Sequence, residues 1–205
     1  EMNHPTFVYV THDQIEAMTI GQKVVLMYGG NIQMADTPYN IYHRPVNIFT
    51  ARFIGSPPMN IVNVRLAAGK LKIGHDLIEL EDAWMSLLKK QQKEEFYLGI
   101  RPEEMILSHR DDGNCVQVFA KYAENYGNRL GIYFDMEENE CIASVEMGQG
   151  LGGRSQVFWK LNPSKLSFFD VDTQENIGYP IKYQLQDNET LLHAEKLLRL
   201  QGAYY

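Results

Sequence analysis

The chain has 205 residues, room for one large domain or two small ones, and its 44% hydrophobic content fits a packed core rather than disorder. A net charge of −7, with no Lys/Arg-rich block to offset it, argues against nucleic acid as a partner. No apolar run approaches the roughly 18–20 residues of a membrane span, and the first residues lack a secretory pattern. Cys115 and Cys141 lie far apart, without a CxxC, which fits a reduced, cytosolic setting.

The first third reads as α/β. Residues 7–11 (FVYVT) form a continuous apolar run of the kind found in strands buried on both faces. Asp13 can cap a helix over 14–20, Glu16 stands at the capping-box position, and Gly21 ends it. A strand over 23–28 turns at Gly29-Gly30-Asn31 and returns over 32–35. Thr37-Pro38 starts a helix, and a further helix is expected over 46–54. Gly55-Ser56-Pro57-Pro58 is the strongest break in the chain, because proline continues neither helix nor ladder.

Beyond that break the texture is mainly β. Strands are expected over 61–66, 71–73, 77–80, 96–100, 116–121, 129–134, 141–147 and 156–161, with one helix over 84–92. Many short strands with turn residues between them fit a barrel or sandwich. The tail carries helical leucine spacing over 188–200.

Four blocks, in order, carry a resemblance. They are FVYVTHDQIEAMTIGQKVVLMYGGNIQ, TPYNIYHRPVNIFTARFIGSPPMN, GIRPEEM and LNPSKLSFFDVDTQENI. The sequence resembles the ATPase subunits of bacterial sugar-importing ABC transporters, relatives of the maltose-importer ATPase, from about residue 7 to residue 177. The resemblance implies a mixed fold. Residues 1–55 would be a truncated α/β remnant of the nucleotide-binding domain, and 59–180 an OB-fold-like (TOBE) regulatory barrel. Residues 181–205 would be a tail with a helix.

By the same resemblance His12, in VTHDQ, is the switch histidine that contacts the γ-phosphate across a dimer of nucleotide domains. A strand tip holds an imidazole rigidly, where it donates to phosphate or orients a water. The 205 residues contain no GxxxxGK[ST] and no LSGGQ-like stretch, so the phosphate cradle is missing and His12 stands without its catalytic partners. The expectation is a C-terminal part of a longer ATPase that by itself neither binds a cofactor nor hydrolyses ATP. ATP and magnesium would belong to the full-length parent. The resemblance further implies self-association as a homodimer, permease subunits and a solute-binding protein system as partners of the parent, and a peripheral place at the cytoplasmic face. Neither nucleic-acid binding nor direct membrane insertion is expected.

Other features read as structure. Gly148–Gly153 spells GxGxxG with Asp172 downstream, but QVFWKL after it is β-favouring, where a dinucleotide site needs a helix. Arg101, between a strand and a proline-led turn, can bind an anion or a partner carboxylate. The favoured role is a structural lock with Glu103 or Glu104. The acidic run 135–140 reads as a solvated hairpin loop, and His109 with Asp111 and Asp112 as an exposed turn. Tyrosine and phenylalanine sit mostly within strands, as core rather than a stacking platform. Two rival functions are a stand-alone oxyanion-binding barrel, which needs Ser/Lys and main-chain donors at a barrel seam, and a complete small enzyme. No Ser/His/Asp, Cys/His or metal constellation with interpretable spacing supports the second.

Overall fold

The fold was described from a computed structural model, which covers residues 6–148 and 155–185. Helix α1 (Gln14–Ile20) starts at Asp13, whose Oδ1 accepts from the Ile15 and Glu16 amides at 2.7 and 3.2 Å. The capping box does not close. Glu16 instead accepts from Thr11 Oγ1 at 2.8 Å, and the Asp13 amide donates to the same hydroxyl at 3.0 Å. The expected strand over 7–11 is absent: these residues have no ladder partner among the described residues, and Phe7 and Val10 are 86% and 90% exposed. An apolar run supplies propensity, but a strand exists only as one member of a hydrogen-bonded ladder.

Strands β1 (Val24–Tyr28) and β2 (Asn31–Asp36) form an antiparallel hairpin. Gly29 and Gly30 occupy its two-residue turn at φ +57° and +79°, a conformation that favours glycine. A bulge after Leu26 leaves Gln33 without a partner. Helix α2 (Pro38–His43) has Thr37 as cap and proline in its first turn. Helix α3 (Ile48–Phe53) starts later than expected because Asn47 caps it, accepting the Thr50 amide at 2.8 Å. Leu26, Met34, Ile41 and Ile54 make the small apolar cluster of this region.

The remainder is β3 (Asn60–Ala67), β4 (Lys70–Ile73), β5 (Asp76–Ile78), helix α4 (Asp82–Lys90), β6 (Glu95–Ile100), β7 (Ile106–Ser108), β8 (Cys115–Asn125), β9 (Arg129–Met136), β10 (Asn139–Glu146), β11 (Ser155–Lys160) and β12 (Ser167–Asp170). All eight expected strands of this part are present, and β7 and β12 are additional. Two five-stranded antiparallel sheets result, in the orders β12-β6-β3-β4-β5 and β10-β9-β8-β11-β7. They share one core that includes Phe96, Leu98, Phe134, Trp159 and Phe168, with Trp84 of α4 closing it. The fold is thus mainly β with few helices, a half-barrel arrangement consistent with an OB fold.

Two asparagine amides sew the sheets together. Asn60 of β3 donates to the Ile142 carbonyl at 2.8 Å and accepts the Ile142 amide at 2.9 Å, so its side chain pairs with β10 as a peptide group would. Asn114 does the same at the other seam, accepting the Glu79 amide at 2.7 Å and donating to the Glu79 carbonyl at 3.1 Å. Residues 181–185 begin the tail as a helical turn, and Tyr183 stacks on Trp84 with centroids 6.0 Å apart. The expected helix over 188–200 lies outside the described residues.

Candidate functional site

His12 lies at an exposed bend leading into α1, not at the tip of a strand. The helix it precedes has no fully buried residue; half-buried Met18 rests on the Leu26, Met34, Ile41 and Ile54 cluster, and a polar anchor stands beside that contact. Gln14 supplies that anchor. Its Nε2 donates to the Phe53 carbonyl at 2.6 Å and its Oε1 accepts the Gly55 amide at 3.0 Å.

Arg101 approaches the same turn from the barrel side. It directly follows β6, as the cap of the 3-10 turn Pro102–Glu104, and is 2% exposed. Nη1 donates to the Ala51 and Ile54 carbonyls at 3.0 and 2.5 Å, and Nη2 to the Tyr42 carbonyl at 2.6 Å. The guanidinium carbon sits 4.1 Å from the Tyr42 ring centroid. Burial pulls the Arg101 pKa downward, countered by Tyr42 and Glu103. The carbonyls at the ends of α2 and α3 carry the partial negative charge that satisfies the cation.

The expected Arg101–glutamate pair does not form. Glu103 accepts instead from the Tyr42 hydroxyl, and Glu104 pairs with Lys165 at 2.9 Å. Burial first, then the Glu103 hydrogen bond, hold the Tyr42 phenol well above its ordinary range. Thus Arg101, Glu103 and Glu104 are brought together around Tyr42 and Lys165, while His12 is linked to them only through Gln14 and the turn after α3.

A void of about 30 Å³ beside Arg101 is lined by His43, Ser164, Lys165, Ser167 and Tyr179, among others. A void of that size has room for about one water and is small for an oxyanion. Its cations are already engaged, Lys165 by Glu104 and Arg101 by carbonyls. This does not favour the oxyanion-binding alternative. The Asp111 and Asp112 carboxylates and the Cys115 thiol lie within 4.8 Å of one another. Asp112 is already held by Cys115 and Lys160, which lower its pKa to about 2. Among the described residues, the first element after GxGxxG is strand β11 rather than a helix, which argues against the dinucleotide reading.

Two features escaped the sequence reading. Gln14 carries no local signal for partners some 40 residues away. The general expectation that strand aromatics belong to the core does not hold for Tyr122, Tyr126 and Tyr133, which cluster at the surface. Tyr122 and Tyr133 stack at 4.5 Å, and the Tyr126 and Tyr133 hydroxyls donate to Glu124 at 3.0 and 2.8 Å. The register shift between Ala120 and Tyr122 reorients the strand there, a change that alternation alone does not reveal.

Residues 55–105, from the turn held by Arg101 to just past Arg101 itself, match the MalK OB fold domain family. Over 178 residues the chain is 32% identical to the oligosaccharides import ATP-binding protein MsmX of Bacillus subtilis (strain 168), covering 84% of this chain and 49% of that protein. It is 32% identical to the trehalose import ATP-binding protein SugC of Mycobacterium tuberculosis (strain ATCC 25618 / H37Rv), covering 85% of this chain and 52% of the relative. The chain is similar to the C-terminal part of sugar ABC importer ATP-binding subunits. An sn-glycerol-3-phosphate import ATP-binding protein, UgpC of Ruegeria sp. (strain TM1040), is 30% identical over 84% of this chain and 47% of its own length. The chain spans about half the length of these relatives. The matched region is the one similar to the OB fold of such subunits, and no helix among the described residues is long and apolar enough to cross a membrane.

Proposed function

We propose that the chain is the regulatory and self-associating portion of an ABC importer ATPase whose full-length form couples ATP hydrolysis to uptake of a sugar or related solute. The MalK OB fold match over residues 55–105 carries this reading. In the full-length form, ATP with magnesium would drive permease subunits fed by a solute-binding protein, at the cytoplasmic face of the membrane. His12 would be the switch histidine, contacting the γ-phosphate as donor or water-orienting group.

Residues 1–55 are then the end of a nucleotide-binding domain, 59–180 the regulatory barrel and 181–205 a tail. The exposed apolar side chains of Phe7, Val8, Val10, Met27 and Ile32 support that division, because they have the character of surfaces that another element covers. Self-association would run through the β region, since symmetric pairing is the commonest arrangement of soluble oligomers.

Isothermal titration of the chain with Mg-ATP tests the reading. With no GxxxxGK[ST] in the sequence, no saturable heat is expected. A micromolar dissociation constant, with turnover that disappears in His12→Ala, would overturn it.

A further inference from the structure

We propose that Gln14 and Arg101 act as a pair of positioning residues that fixes the His12-bearing helix α1 to the β barrel by gripping one turn from opposite sides. As an account of catalysis this rests on His12 being the switch histidine. As an account of coupling between two regions it stands on geometry alone.

The turn is residues 53–55, at the end of α3. From one side the Gln14 amide takes the Phe53 carbonyl and the Gly55 amide, reproducing both bonds of a peptide pair. From the other, Arg101 takes the carbonyl of Ile54, between them, and that of Ala51 one turn earlier. Gly55 lets the two grips meet. It sits at φ +107°, and a Cβ there would lie 3.0 Å from Arg101 Nη1 and 3.4 Å from Tyr42 Cε2.

The arrangement has mechanical consequences because α1 has no buried residue and sets only the half-buried Met18 against the Leu26, Met34, Ile41 and Ile54 cluster. A helix with so little packing depends on its directional bonds, and its local opening follows theirs. Moving the end of β6 moves Arg101, the Ile54 carbonyl and the neighbouring Phe53 and Gly55 groups, and through Gln14 the start of α1. A barrel displaced by a partner would thereby shift His12 although barrel and histidine do not touch. Lysine cannot replace Arg101, because a point-like ammonium on a flexible stem does not span carbonyls from two helices as the planar fork does.

Hydrogen exchange on the 205-residue chain tests the pair without ATP, so failure of the switch-histidine reading and failure of this one are distinguishable. Gln14→Ala is expected to speed exchange over residues 15–20 about tenfold while β8 and β9 keep their protection. Arg101→Lys, which contacts nothing in α1, is expected to speed exchange over the same residues to a similar degree. The double variant should exceed neither single one by more than about twofold, because both cut the same linkage. Unchanged exchange over 15–20 in Arg101→Lys, or effects that multiply in the double variant, would overturn the proposal. If Arg101→Lys also loosens β8 and β9, Gly55→Ala, which crowds the guanidinium from the turn itself, carries the same comparison. Fast exchange over 15–20 with intact strands supports the linkage there, and unchanged exchange defeats it.

Discussion

The region before Gly55 and the barrel after it are built from equally apolar sequence and reach opposite ends. The barrel encloses Trp84, Phe96, Phe134, Trp159 and Phe168 between two sheets that cover each other. The earlier region buries Leu26, Met34, Ile41 and Ile54 and leaves Phe7, Val8, Val10, Val25, Met27 and Ile32 facing outward. Hydrophobic residues make a core only where topology supplies a second layer, and at roughly 25 cal/mol per Å² the absence of that layer is felt along the whole hairpin.

Core truncation separates the regions most sharply. Phe96→Ala in β6 is expected to cost about 3–5 kcal/mol in guanidinium unfolding, from lost transfer and a residual cavity. Met27→Ala, at a side chain 57% exposed, is expected to cost under about 1 kcal/mol. Similar losses at both positions would mean that the hairpin face is covered in solution.

The amide seams give a smaller contrast within the barrel. Asn60→Ala strands a buried backbone N–H and carbonyl at Ile142 and is expected to cost about 1–3 kcal/mol. Asn114→Ala opens the exposed seam, where water replaces the amide, and should cost less than about 1 kcal/mol. Equal costs in chemical denaturation would show that the two seams share one solvent environment.

Acid is the gentlest probe. Lys93, then the Thr173 amide, hold the Asp170 carboxyl at about 2, below its ordinary 3.8. A depressed carboxylate contributes stability that is present above its unfolded pKa and is lost as pH falls through the folded one. The barrel should therefore lose a little melting temperature between about pH 4 and pH 2. Lys93→Met should flatten that limb, by less than any effect above because the ammonium faces solvent. A limb unchanged in Lys93→Met would place the acid sensitivity elsewhere.

The barrel was the more legible half because each strand carries its own turn residues and its own apolar alternation. Strands β7 and β12 were missed because three or four residues after a proline-led turn give too short a pattern. The run over 7–11 misled in the other direction: its composition was strand-like, but a ladder needs a neighbour that composition cannot report. At the site, Glu103 and Glu104 drew attention as partners of Arg101 because they are adjacent in sequence. Its real partners are backbone carbonyls 47 to 59 residues away, which any residue type offers and no motif marks. Gln14 was silent for the same reason, whereas His12 stood out only through the block around it.

The placement of the indoles has a consequence for how this molecule is observed. The two tryptophans, Trp84 and Trp159, are both shut inside the barrel at 0% and 1% exposure. Intrinsic fluorescence therefore watches one half of the chain, and the hairpin and its three helices can open in the dark. An unfolding curve from indole emission reports the barrel alone, while far-ultraviolet circular dichroism registers both halves. The gap between the two curves is a direct optical measure of how independently the His12 region comes apart.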